Sequence, residues 1–294
     1  MALVHVATAS GLFTFGDSSG IDLDDRDVAA IAGDDGAWWA IAGNSILHGA
    51  PGSGWDEVAT VEGRVLACIR PTVHGVFVGT DEAHLLQVDG TVGPVQAFED
   101  APGRDDWYTP WGGPPAVRSI ATSEGSVHVN VHVGGILRSD DGKTWSPTID
   151  IHSDVHEVIA RGDIVIAATA YGLAASHDRG GSWDFTEDGL HASYARAVAL
   201  AGDRILMTAS LGPRGGRGGI YRRALDGSDP FQKVHSGLPE WFPDNIDSGS
   251  LAAAGNIAAF GTADGRAYIS EDAGDSWTEL ADDLPEVRGV AVET

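Results

Sequence analysis

The sequence predicts an all-β fold, a seven-bladed β-propeller closed by pairing of its N- and C-terminal strands, and three observations predict it. One unit is written at 126–145 as SVHVNVHVGGILRSDDGKTW, at 163–183 as DIVIAATAYGLAASHDRGGSW and at 256–277 as NIAAFGTADGRAYISEDAGDSW. Each copy is an alternating strand, a Gly, a second short strand and a tight Asp/Gly turn closed by Trp. The Trp residues keep register: Trp145 to Trp183 is 38 residues, and Trp183 to Trp277 is 94, two units of 47 with a worn copy between them. Both chain ends, finally, read as strands lacking a partner. A fixed period of this size filled by short strands marks a propeller or a related repeat architecture.

Taken in order, residues 3–15 (LVHVATASGLFTF) read as the second and third strands of a blade whose first strand is Val287–Val292. The first blade is then split between residues 1–25 and 286–294 of a single domain spanning 1–294. Pairing the ends closes the ring and leaves no open sheet edge. The second blade is VAAIAG (28–33), AWWAIAGN (37–44), SILHG (45–49) and the segment at Trp55, which stands 90 residues before Trp145. The third is VLACI, GVFVGT, HLLQV and VQAF, with VQAF (95–98) expected as its outer strand. Blades four and five are the first two copies of the unit. Blade six is the worn copy, ARAVAL, ILMTAS, GIYRRAL and FQKV, with an inserted loop at 212–219 carrying Arg214 and Arg217. Blade seven holds the third copy.

The turn has a chemical reason. In Ser270–Trp277 the Asp272 carboxylate accepts from amides of its own turn, Gly274 supplies a positive φ, and Trp277 packs the turn onto its blade. Ser176, Asp178, Gly180, Ser182 and Trp183 repeat the spacing; Ser139, Asp141, Gly142, Thr144 and Trp145 are one residue shorter. These runs resemble the Asp-box, or BNR repeat, of sialidases, sortilin-type receptors and photosystem II assembly factors. The longer strings HVNVHVGGILRSDDGKTW, GLHASYARAVA and GLPEWFPDNIDSG look like BNR proteins that carry a sialidase-like or glycosyl-hydrolase label. The resemblance implies the fold; the Asp-box itself is a structural hairpin lock.

Composition narrows the function. Acidic residues outnumber basic ones 43 to 18, for a formal charge of −25, and only Lys143 and Lys233 are lysines. Such a surface repels nucleic acid and anionic membranes, which are not expected as partners. The lone Cys68 excludes an intramolecular disulfide and a cysteine zinc cluster. No apolar run reaches the ~18–20 residues of a membrane span, and the N-terminus has no signal-peptide pattern, so a cytoplasmic protein is expected.

Aligned on their last apolar residue, the inner strands place Ala29, Leu66, Arg118, His156, Arg196, Gly249 and Arg288 at one position around the ring. Cations gathered there, against the sign of the whole molecule, suggest holders for a carboxylate, phosphate or sulfate. The competing role is pairing with inner-strand carboxylates such as Glu157 or Asp247. The aromatic linkers at 105–111, 189–194 and 239–247 should converge on the same face, with Trp111, Tyr194 and Trp241 as pocket walls. His156 and His191 are acid/base candidates. His132, His152 and Asp154 are candidate ligands of a divalent metal, the one cofactor the sequence suggests.

The sialidase resemblance implies a three-arginine carboxylate clamp, which Arg118, Arg196 and Arg288 would imitate. It also implies a Tyr–Glu nucleophile pair, imitated by Tyr194 and Glu157. Sialidases, however, have six blades and an early Arg-Ile-Pro strand motif. Here Cys68-Ile69-Arg70-Pro71 lies at the end of an inner strand, and sialidase activity itself is not expected. The sequence therefore points to binding of a small anionic ligand in the central pocket, with a hydrolase-like activity left open. The alternative is a non-catalytic scaffold, resembling the photosystem II assembly factors, whose same face binds a protein partner.

Overall fold

Val127, Val129 and Val131 alternate along one strand and are fully buried; so, on the strand's other face, are His128, Asn130 and His132. A strand buried on both faces needs a sheet on each side, and the fold provides it all round. The computed structural model, which describes residues 2–34, 36–227 and 229–294, consists of seven four-stranded antiparallel sheets. They follow one another in sequence as the blades of a propeller. In the first, Val287–Glu293 is the innermost strand and pairs with Leu3–Thr8, in the register Val4 to Val292 and Val6 to Val290. The ring is thus closed by the two chain ends. Among the described residues no helix is long and apolar enough to cross a membrane.

Seven apolar clusters hold the ring, each lying between neighbouring blades. Trp145 of blade four packs edge-on against Phe77 of blade three and Phe98 of the linker between them. Trp277 packs on Phe260 in the cluster shared by blades six and seven. The Trp that ends each unit therefore seals the joint to the preceding blade as well as its own turn. Within the turn, Asp272 accepts from Ser276 N at 2.9 Å, Ser276 Oγ at 2.6 Å and Ser270 Oγ at 2.8 Å. Asp178 makes the equivalent three bonds. The longer turns hold two successive left-handed residues, Arg179–Gly180 and Ala273–Gly274; the shorter one holds only Gly142, which accounts for the missing residue.

One strand differs from the sequence expectation. The outer strand of blade three is Thr91–Pro94, and residues 96–98 of the expected VQAF strand belong instead to a single helical turn, Gln96–Glu99. The chain reverses at Asp89-Gly90 (φ 66°), so that Asp89 faces Thr91 and the strand starts at once. The helical turn then buries Phe98 under Trp145.

Candidate functional site

The inner strands of blades one to five share a local device. Ala7 pairs with Gly289 but Thr8 with Val287, leaving Arg288 as an extra residue. The same register jump leaves out Ala29, Ala67, Arg118 and His156 in the next four blades. A bulge frees one side chain from the ladder and re-aims it. Arg196 and Gly249 stand just ahead of the inner strands in blades six and seven, Val198–Ala201 and Leu251–Ala254. The ring position in blade three is Ala67, not Leu66; Leu66 pairs regularly with Thr80 and is 2 % exposed, packed in the core.

The three arginines on this ring are not equivalent. Arg288 is engaged by Glu286 at 2.8 Å and Asp27 at 3.5 Å. Arg196 pairs with Asp247 and lies 5.6 Å above the Tyr194 ring, while its Nε has no partner. Burial pulls the Arg196 pKa down, but Asp247 and Tyr194 outweigh it and leave it raised. Arg118 forms no ion pair with a carboxylate among the described residues. Burial first, and then the neighbouring Arg196 charge, lower its pKa, with Tyr194, Asp154 and Asp247 opposing from a distance. A three-arginine clamp is not formed; Arg118 and Arg196 make a two-arginine corner.

Beside that corner stand two histidines and an aspartate. His156, at the bulge, is fully buried, and its Nδ1 lies 2.6 Å from the Ala195 carbonyl. A carbonyl oxygen only accepts, so Nδ1 carries the proton and Nε2 of the neutral ring presents a bare lone pair. His156 Nε2 is 3.6 Å from Asp154 Oδ1, and His132 Nε2 is 3.0 Å from the same oxygen but misaligned for a hydrogen bond. Burial holds the His156 pKa down at about 3 and also lowers that of His132. Asp154 takes a left-handed backbone (φ 47°, ψ 61°) between a 3-10 turn at Ile151–Ser153 and the inner strand Val155–Arg161. The rings form a row: Trp111 to His132 is 5.2 Å, His132 to His156 5.3 Å, and His156 to Tyr194 4.8 Å. Trp111 is 61 % exposed and marks the open end of that row.

Other expected site residues have different partners. His152 is on the 3-10 turn and its ring meets Tyr108 at 6.2 Å, outside the histidine–aspartate group. His191 stacks on Tyr221 and lies tilted against Trp241, its Nδ1 2.7 Å from the Tyr221 hydroxyl. Trp241 is covered in turn by Lys233, whose Nζ is 3.9 Å from the ring centre. His191 and Trp241 thus belong to a packed aromatic cluster of blade six. Glu157, 6 % exposed, accepts from Val198 N and Gly249 N, each at 2.8 Å, so one carboxylate ties blade five to blades six and seven. Burial pushes that carboxyl up to about 8. Both its oxygens are occupied and Tyr194 faces His156, so no Tyr–Glu nucleophile pair is formed. Ser248 had no signal in the sequence, yet its hydroxyl is 3.0 Å from both the His156 and Arg196 carbonyls and fixes the corner.

The central channel is a cavity of about 490 Å³ walled by small and aliphatic residues, with Arg70, Arg118, Glu157, Arg161 and Arg288 among them. It touches the site at Arg118, Glu157 and Ser248, while the histidines and Asp154 lie outside it on the rim.

No protein-family model and no curated protein match the sequence. Solved structures do. The chain is similar to YCF48 bound to a D1 peptide, at 16 % identity over 100 % of this chain and 95 % of that one, with a TM-score of 0.61. It is similar to the computationally designed Ika8 protein, at 16 % identity over 98 % and 86 %, TM-score 0.63. It is also similar to the GH74 xyloglucanase of Xanthomonas campestris, at 13 % identity over 96 % of this chain and 47 % of that one, TM-score 0.59. Likenesses at these identities establish the propeller and leave the activity to the site.

Proposed function

We propose that the rim formed by blades four to six binds a small molecule through an anionic group, a carboxylate, phosphate or sulfate. One observation carries the reading: Arg118 is a largely buried guanidinium that no carboxylate among the described residues pairs, placed beside a second arginine. Burying a cation next to a like charge is unfavourable unless an anion compensates. Arg118 is the principal holder and Arg196, shared with Asp247, the second. Trp111 and Tyr194 supply flat walls, and the Asp/Gly turns support reading the scaffold as an Asp-box propeller. For hydrolysis, His156 is the base candidate in the metal-free protein, because Ala195 fixes its free lone pair at Nε2. The occupied Glu157 argues against a sialidase-type nucleophile.

A second reading has its own observation. Tyr108, Trp111, Tyr171 and Leu211 are exposed large apolar residues on linkers and turns that a blade places at one end, the end of this rim. They would suit a protein partner, as would the fold likeness to a propeller solved with a peptide.

One experiment separates the two. Sulfate or phosphate should raise the Tm beyond chloride at equal ionic strength, by about 2.7 kcal/mol of binding linkage at a hundredfold excess over Kd. Arg118→Ala should abolish the anion-specific part, while Arg288→Ala, already paired, should keep it. Equal responses from wild type and Arg118→Ala would remove the anion reading and leave the protein-partner reading ahead.

A further inference from the structure

The geometry points to a divalent transition-metal site, zinc foremost, formed by His132 Nε2, Asp154 Oδ1 and His156 Nε2. The inference rests on these three atoms and does not depend on an anion binding at Arg118. All three lie within 4.8 Å of one another, and all three are buried side-chain atoms without a hydrogen-bond partner. Three buried polar atoms this close together, with no partner beyond one another, are costly unless something between them satisfies all of them.

The occupant must be a cation. Ala195 takes the His156 Nδ1 proton, so the His156 lone pair confronts the Asp154 carboxylate oxygen at 3.6 Å, acceptor against acceptor. A metal ion between them bonds to both acceptors at once. Ligands at roughly 2.1 Å from a zinc ion stand about 3.0–3.6 Å apart at angles between 90° and 120°. The two separations about Asp154, 3.0 and 3.6 Å, span that range. The outer supports are those of a built site: a backbone carbonyl on the far nitrogen of His156, which fixes tautomer and ring plane, and a strained left-handed backbone at Asp154 that holds the carboxylate between the rings. Two imidazoles and one carboxylate suit zinc, or iron(II) or manganese(II) with open positions. Trp111 and Tyr194 flank the two histidines and shield the centre, while Arg118 is close enough to act on both Asp154 and His132. An exogenous ligand of such a metal would therefore be anionic.

The test uses the full chain, stripped with EDTA and dialysed into chloride buffer free of sulfate and phosphate. Titration with Co²⁺ should give one equivalent bound per chain, with visible absorption of a low-coordinate nitrogen–oxygen site that Zn²⁺ displaces. Asp154→Asn and His132→Gln should weaken Zn²⁺ binding about a hundredfold or more, at least the loss that follows from disturbing a ligand's support. His152→Gln should bind like wild type. No saturable binding, or equal affinity in wild type and the two ligand variants, would overturn the site and place any bound ion on the acidic surface. Should either variant fail to fold, X-ray absorption of the zinc-loaded wild type decides: two imidazoles in the first shell support the site, and oxygen ligands alone refute it.

Discussion

Changing Gly274 to alanine should destabilise the propeller by an amount the turn geometry dictates. Gly274 sits at φ 83°, directly after Ala273 at φ 55°. A Cβ there would stand 2.4 Å from Leu206 Cδ2 and 3.2 Å from its Cδ1, and Leu206 is fully buried in the joint between blades six and seven. The left-handed backbone costs a residue with a Cβ about 1–2 kcal/mol. Forcing a methyl into a filled core costs about 1–3 kcal/mol more. Together these give roughly 2–5 kcal/mol, or a fall in Tm of about 4–10 °C at roughly 2 °C per kcal/mol for a chain of this size. The repeat supplies its own control. Gly180 occupies the same place in the blade-five turn at φ 92°, but its Cβ would meet only the partly exposed Thr148 side chain at 3.1–3.3 Å. Gly180→Ala should therefore show the backbone cost alone, about 1–2 kcal/mol. Thermal melts and urea midpoints of the two variants, side by side, read the difference. A third measurement isolates the contact: in a Leu206→Ala background the Gly274→Ala cost should shrink toward that of Gly180→Ala, because the space is now open. If Gly274→Ala proves no worse than Gly180→Ala, the turn does not bear on the preceding blade and the joint is held by Trp277 and Phe260 instead.

Two further outcomes follow from the fold. Deleting residues 287–294 removes the strand paired with Leu3–Thr8, and the shortened chain should aggregate or lose its cooperative transition; a truncation that melts like the parent would show that the ends need not pair. Glu157→Ala orphans the Val198 and Gly249 amides, at about 1–3 kcal/mol each, and should lower the urea midpoint accordingly; a loss below about 1 kcal/mol would mean that the carboxylate does not join the three blades.

How far the sequence carried depends on what each residue had to reveal. The turns were legible because their chemistry is local: Asp178 and Asp272 bond partners within four residues, so spacing alone shows the contacts. The bulge ring was legible where a charged or polar residue directly follows the Val that opens the inner strand's apolar pattern, as at Arg118, His156 and Arg288. It slipped by one in VLAC, where three apolar residues give the alignment nothing to register on and the bulge falls at Ala67. VQAF alternates too briefly to distinguish a strand from one helical turn, and the Asp89-Gly90 reversal just before it was the stronger signal. Charge pairing was opaque for the opposite reason. Arg288 meets Asp27 across the ring closure and Arg196 meets Asp247 from the next blade, contacts that only the tertiary fold creates. The choice between His152 and His156 was hidden in a single backbone torsion. Both stand two residues from Asp154, and its left-handed conformation turns the chain between them, sending His156 inward and His152 toward Tyr108. A scaffold that repeats one position seven times thus acquires a site only where that position is loaded. In blades two, three and seven it holds Ala29, Ala67 and Gly249, which leave the channel open. In blades four to six it holds Arg118, His156 and Arg196; Asp247 pairs Arg196, whereas Arg118 and the His156 Nε2 lone pair have no such partner among the described residues. Conversion of Ala29 or Ala67 to arginine would add a cation to the same ring without Tyr194, Asp154 or Asp247 beside it. In the proposed site the ring position supplies Arg118, His156 and Arg196, and the residues around it in blades four to six supply Asp154, Tyr194 and Asp247.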